Sequence, residues 1–321
     1  MRRLSLCLAV AAAALAAAPA AHADGPMFVT QDGTGVAHGS LRYVAVNTTS
    51  GRGTDLVEVS TRDHSVGPAL RIPGEWGLPY TAAGAEGLSH DGRTLVLGSA
   101  GIGISSPSRF LVVDPQHLRV VRTIALDGYF TYDALSPDAS TLYLIQYTHG
   151  RSQDTSRYIV RAYDMRTNRL LPGKIAARDE SDDEETMAGY AMTRTTSAGG
   201  RWVYTLYQKP SGEPFVHALD TVRRVAYCID LPENRGLGNI VLSLRDHDRT
   251  LVAHWRSGRP WLNVAVGSWQ ISYPGSGFSW AWVGAGAGGG LALLAALGVL
   301  LLRRRRGKEI DQHPGQELGL A

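Results

Sequence analysis

Hydrophobic and polar residues alternate along most of this chain in short runs of four to seven, broken by Asp, Gly, Ser and Pro. That period of two, with turn residues between, predicts β-strands rather than helices. Four segments share one form: Gly87-Leu88-Ser89-His90-Asp91-Gly92-Arg93-Thr94-Leu95-Val96-Leu97, Ala134-Leu135-Ser136-Pro137-Asp138-Ala139-Ser140-Thr141-Leu142-Tyr143-Leu144, Thr196 to Tyr204, and Leu242 to Val252. Each reads as strand, tight turn, strand. A second strand pair follows each of the first three hairpins, and three of these pairs turn at an aspartate: Asp114, Asp164 and Asp220. An aspartate there accepts backbone N–H groups and closes the turn. An earlier unit covers Leu41–Val46, Asp55–Val59 and Ala69–Ile72, and a last one runs from Ile240 to Tyr273. The hairpins recur at intervals of roughly 47, 60 and 50 residues, the length of a four-stranded propeller blade. The expected fold is therefore all-β, a β-propeller of about five four-stranded blades over residues 24–278.

The apolar pattern changes at both ends. Ala281 to Leu302 is an uncharged run of 22 residues, closed by Arg303-Arg304-Arg305-Arg306 and preceded by Trp280 and Trp282 near its start. Its length suits one transmembrane α-helix, with the arginines on the cytoplasmic side and the tryptophans at the other interface. Met1-Arg2-Arg3, an alanine-rich core and Ala21-His22-Ala23 have the form of a cleaved signal peptide over residues 1–23. Together these predict a single-pass type I protein of the cell membrane. Its propeller is extracytoplasmic, the span covers 279–302, and a short tail, 303–321, is cytoplasmic. Gly284 and Gly288, four apart in the span, offer a close helix approach for self-association.

Charge then changes meaning. The chain is formally +3 with pI near 8.9, but the excess of basic over acidic residues lies at the two ends. Without Arg2, Arg3, Arg303 to Arg306 and Lys308, and without Glu309, Asp311 and Glu317, 25 basic and 26 acidic residues remain. A near-neutral exported region argues against nucleic acid as a partner. Cys228 is the only thiol left after signal removal, which excludes an intrachain disulfide.

Candidate chemistry is sparse. The chain holds no Gly-x-Ser-x-Gly elbow, phosphate loop or His-Glu-x-x-His motif, and the eight exported histidines form no i, i+4 pair. The loops leading into each inner strand carry aromatic and charged residues that suit a ligand or protein partner: Trp76 and Tyr80, Tyr129, and Arg235. Glu86 lies five residues before Asp91, and Asp133 five before Asp138, so both carboxylates take one place on adjacent inner strands. Thr193 and Leu242 take the matching places later, when the repeats are aligned on the turn acid. Two converging acids can bind a divalent cation or share a proton. Arg178 to Thr186 is an acidic insertion without calcium-loop spacing and reads as a solvated loop.

The Ser-Pro-Asp-Ala-Ser-Thr-Leu-Tyr run at 136–143 and its relatives resemble the YVTN, TolB and lactonase-like β-propeller repeat superfamily, over about residues 38 to 275. Five recognisable blades depart from the seven of that superfamily. Ala85-Glu86-Gly87-Leu88 also resembles the Glu-Gly start of metal-dependent propeller lactonases and phytase-like propellers. That resemblance implies a metal-dependent hydrolase using Glu86 and Asp133. The plain repeats and missing catalytic motifs instead support a membrane-anchored binding or interaction module without catalysis or cofactor.

Overall fold

Short runs of alternating, β-branched and aromatic residues pair with the next run in sequence, because a tight turn makes the neighbouring strand the nearest partner. The computed structural model describes residues 27–29, 35–48, 52–81, 84–99, 107–148, 157–177, 187–234 and 236–274. These form five antiparallel sheets. The first blade runs Val36–His38, Leu41–Asn47, Gly53–Ser60, Val66–Pro73. The second is built on Trp76–Thr81, Leu95–Ser99, Ser108–Asp114 and Arg119–Leu126. The third contains Tyr129–Leu135, Thr141–Tyr147, Arg157–Asp164 and Arg169–Leu170. The fourth contains Tyr190–Thr196, Trp202–Gln208, Pro214–Asp220 and Val225–Asp230. The fifth contains Ile240–Arg245, Thr250–Trp255, Pro260–Ala265 and Ile271–Ser272. All lie in one compact unit, Met1–Ser272.

The second, third and fourth blades pack on both faces, so their strands carry hydrophobic residues on both sides of the pleat. In Trp202–Gln208, Val203 and Tyr207 pack with Tyr143, Tyr158 and Ala162 of the third blade. Tyr204 and Leu206, one residue out of phase, pack with Leu242, Leu251 and Leu262 of the fifth. Further clusters join the first blade to the second, through Tyr43, Leu56, Leu78 and Leu95, and the second to the third, through Val96, Phe110, Leu142 and Leu144. Successive four-stranded meanders packed face to face are the blades of a β-propeller.

One turn is repeated in every blade between the third and fourth strands. Asp114 accepts from the His117 N–H, Asp164 from Arg166 and Thr167, and Asp220 from Val222 and Arg223, at 2.8–3.3 Å. Ser60 replaces the aspartate in the first blade. Four residues beyond each of these positions the backbone turns left-handed, at His64, Leu118, Asn168 and Arg224; Trp269 does so in the fifth blade (φ 46–60°).

The turn between first and second strands repeats as well. Ser89, Ser136 and Ser197 each accept the N–H of the residue five positions on, at 2.9 Å. Three residues after each serine the backbone again has positive φ: Gly92 (69°), Ala139 (51°) and Gly200 (71°). Glycine meets that requirement without strain, whereas Ala139 carries a Cβ in the left-handed region.

Several expectations change. Trp76, Tyr80 and Tyr129 belong to inner strands and not to loops. Trp76–Thr81 is held as a strand because Met27–Val29 pairs along one edge, with Met27 opposite Tyr80. Gly84–Ala85 folds back on the same strand. The first blade gains an inner strand, Val36–His38, too short to show a period. A single turn of 3-10 helix, Leu237–Asn239, precedes the fifth blade. Among the described residues no helix is long and apolar enough to cross a membrane. The signal segment, the acidic insertion, Arg235 and the span 281–302 with Gly284 and Gly288 lie outside the described residues.

Candidate functional site

The second, third and fourth blades meet at three charged side chains: Asp133 and Arg194 on inner strands, and Glu86 just after Gly84–Ala85. Counted back from the turn serines, Glu86, Asp133 and Arg194 all stand three residues before Ser89, Ser136 and Ser197. The structural repeat therefore places Arg194, and not Thr193, beside the two acids. Alignment on the turn acid misses this, because the fourth blade has none and its turn is Ser197-Ala198-Gly199-Gly200. Alignment on the serine that caps the turn finds it.

Arg194 is only 1% exposed, and its guanidinium donates four hydrogen bonds. Nη1 donates to Glu86 Oε2 at 3.0 Å and to the Asp133 carbonyl oxygen. Nη2 donates to Asp133 Oδ1 at 2.7 Å, and Nε to Thr205 Oγ1 at 3.2 Å. One side chain thus ties three blades together. Its planar fork suits that role, since separate N–H groups reach two carboxylates at once. Burial disfavours the charged guanidinium, but Glu86 and Asp133 outweigh that and hold its pKa above the ordinary arginine value. At Glu86 burial dominates and raises the carboxyl pKa, against the pull of Arg194. Burial also drives the Tyr132 hydroxyl far above its usual range, with the Glu86 charge adding to the effect.

Two carboxylates face one guanidinium, so the trio carries one formal negative charge in excess. Asp133 Oδ2 is buried and has no hydrogen-bond partner among the described residues. Behind it, the side chains of Arg194, Thr205, His217 and Cys228 stand at paired positions across the fourth blade. His217 is 1% exposed, and burial lowers its pKa, which keeps the imidazole neutral. Tyr158 and Tyr207 stack beside it, with ring centroids 5.1 Å apart.

Glu86 and Asp133 also line a cavity of about 290 Å³. Its rim consists of first-to-second-strand turns and the inner strand of the first blade, including His38, Ser89, His90, Pro137 and Ser197. Apolar walls come from Val36, Leu88, Tyr132, Leu135 and Val203. Trp76, Tyr80 and Tyr129 are not among its lining residues. Trp76 instead packs in the core between the first and second blades and donates its indole N–H to the Pro73 carbonyl at 2.8 Å. Tyr129 packs against the core between the third and fourth. The structure thus brings Glu86 and Asp133 together; Trp76 and Tyr129 stand in the cores between blades, and Tyr80 pairs with Ala85 beside Glu86 without lining the cavity.

The fit of a divalent cation to these acids is decided by Arg194. Its guanidinium already fills the place between the two carboxylates, and among the described residues no cluster of three or more His, Cys, Asp or Glu is arranged to hold a metal.

No protein-family profile matches this chain, and no curated protein matches it in sequence. Solved structures with a similar course of chain include the β-propeller domain of Cps50 (Swd1) from Myceliophteria thermophila, at 11% identity and TM-score 0.43, covering 72% of this chain and 62% of that one. TolB from Acinetobacter baumannii is similar at 12% identity and TM-score 0.42, covering 72% and 53%. The dihydro-heme d1 dehydrogenase NirN is similar at 17% identity and TM-score 0.47, covering 79% of this chain and 48% of that one. None of these likenesses assigns chemistry to this chain.

Proposed function

We propose that this protein is a membrane-tethered, extracytoplasmic binding module, and that the cavity over Glu86 and Asp133 is its ligand site. The observation that carries the reading is Arg194. The two carboxylates best placed for catalysis are instead joined to a buried guanidinium that ties three blades together. Such a clamp supplies rigidity, and a rigid cavity wall is what selective binding needs. The predicted signal peptide and the span at 279–302 supply the tether, and a single span would hold the propeller close to the membrane surface.

Two measurements test this reading. Ligand-observed NMR with a metabolite library should find compounds that bind the wild-type chain and are lost in Ala37→Trp, which fills the rim from the first blade. A library in which no compound distinguishes the two proteins overturns the binding site. Protease treatment of intact cells carrying a C-terminal tag should remove the propeller and leave the tag protected. A tag cleaved with the propeller, or a propeller that resists until lysis, overturns the topology.

A further inference from the structure

The cavity is small and has a definite polarity. At about 290 Å³ it sits at the lower edge of the size range of small-molecule sites, roughly 300–1,000 Å³. Apart from two histidines, the charged side chains on its wall are Glu86 and Asp133, both acidic. Arg194 lies behind them and is not part of the wall, and it offsets one of the two charges. Glu86 keeps 21% of its side chain exposed, whereas Asp133 is 2% exposed. Glu86 is therefore the carboxyl that reaches the cavity; burial raises its pKa, and a cation placed beside it would favour the charged form. Asp133 Oδ2 has no hydrogen-bond partner among the described residues, and it is buried rather than open to the cavity. A buried acceptor of that kind is costly unless a donor reaches it. The remaining wall is mixed, with Val36, Leu88, Leu135 and Val203 alongside His38, Ser89, His90, Thr196 and Ser197.

We infer that the cavity takes a small organic cation, a primary or secondary ammonium on a compact apolar body, with Glu86 as its counter-ion. This rests on the reading of the cavity as a ligand site and names the class of ligand. An ammonium carries donors and no acceptor, and so matches a wall that offers carboxylate oxygens. A carboxylate or phosphate ligand would meet uncompensated like charge and would be rejected. An uncharged ligand of the same shape would gain the apolar contacts but leave the acids unanswered.

The test is an isothermal titration of the purified full chain with three probes of one shape: benzylammonium, benzyl alcohol and benzoate. The expected order is ammonium first, by at least tenfold over the alcohol, with benzoate weakest. Glu86→Gln should abolish the advantage of the ammonium, and Glu86→Asp, which keeps the charge, should retain it. Urea midpoints for both variants show that each is folded, and the Asp variant keeps the test decisive if the Gln variant is not. Ala37→Trp should abolish binding of every probe. Alcohol or benzoate binding as tightly as the ammonium, and lost in Ala37→Trp, overturns the cationic class but leaves the cavity as a binding site. Ammonium binding that survives Ala37→Trp overturns both. So does the absence of binding by all three probes at millimolar concentration.

Discussion

At the turns between third and fourth strands, His64, Leu118, Asn168, Arg224 and Trp269 hold one left-handed position and share no chemistry. Three residues before the turn serines, Glu86, Asp133 and Arg194 hold one equivalent position and are bound to each other. Both sets arise from the same repeat. In four of these turns an aspartate or serine accepts nearby N–H groups, and in the fifth Trp269 donates its N–H to the Ala265 carbonyl, so the conformation is held locally and the left-handed residue itself varies. In the charged trio the residue is fixed by partners in other blades, 61 and 108 positions away in sequence. Local structure tolerates substitution, whereas a charge buried against its opposite does not.

The largest effect expected from this contrast is at Arg194. Arg194→Leu leaves two acids beside an apolar group and should cost about 3–5 kcal/mol in urea unfolding. Adding Glu86→Gln and Asp133→Asn to that variant should recover much of the loss. A triple variant no more stable than Arg194→Leu alone would show that the guanidinium acts by packing and not by charge. Asp220 comes next, because it works on both levels. It closes its own turn and accepts two N–H bonds from Arg201, at 2.7 and 3.1 Å. Asp220→Ala should cost about 2 kcal/mol, more than the loss of a single turn bond.

His217 sharpens the comparison through pH. Burial lowers its pKa from 6.5, so the unfolded state binds the proton first. Its contribution is therefore fully present above about pH 6.5 and is lost as pH falls toward the lower folded value. His217→Gln should flatten the wild-type decline in urea midpoint just below pH 6.5. An unchanged decline would assign it to other groups. The smallest effect is expected at Ala139, the one non-glycine among three equivalent turn positions. Ala139→Gly should stabilise the fold by roughly 1 kcal/mol, the cost of a Cβ in the left-handed region. A neutral or destabilising result would show that the gain is offset by added freedom in the unfolded chain.

Much of this division is already visible in the primary structure. Strand–Asp–turn–strand units and serine-capped hairpins are local patterns, and the five sheets follow them closely. The convergence of Glu86 and Asp133 was legible for the same reason, since both precede an acidic turn. Arg194 was not legible by that route, because its turn lacks the acid that sets the frame. The role of Trp76–Thr81 was hidden as well. Its strand pairs with Leu95–Ser99, with Gly84–Ala85 and with Met27–Val29, the last 49 to 53 positions away, and shows no period of its own. The cavity was the least legible feature, because its wall is assembled from four blades.

The pairing of Met27–Val29 with the second blade also sets an order of assembly. The whole first blade, from Val36 to Pro73, lies inside the loop that this pairing closes. If the chain leaves the cell N-terminus first, its leading strand emerges with no partner and must wait until Thr81 has followed. During that interval it is an unpaired edge, open to a chaperone or to a neighbouring chain. Once Trp76–Thr81 arrives, the latch closes behind the first blade and sequesters that edge. Truncation before Val29 would then delay or misdirect folding during export while leaving every residue of the cavity wall in place.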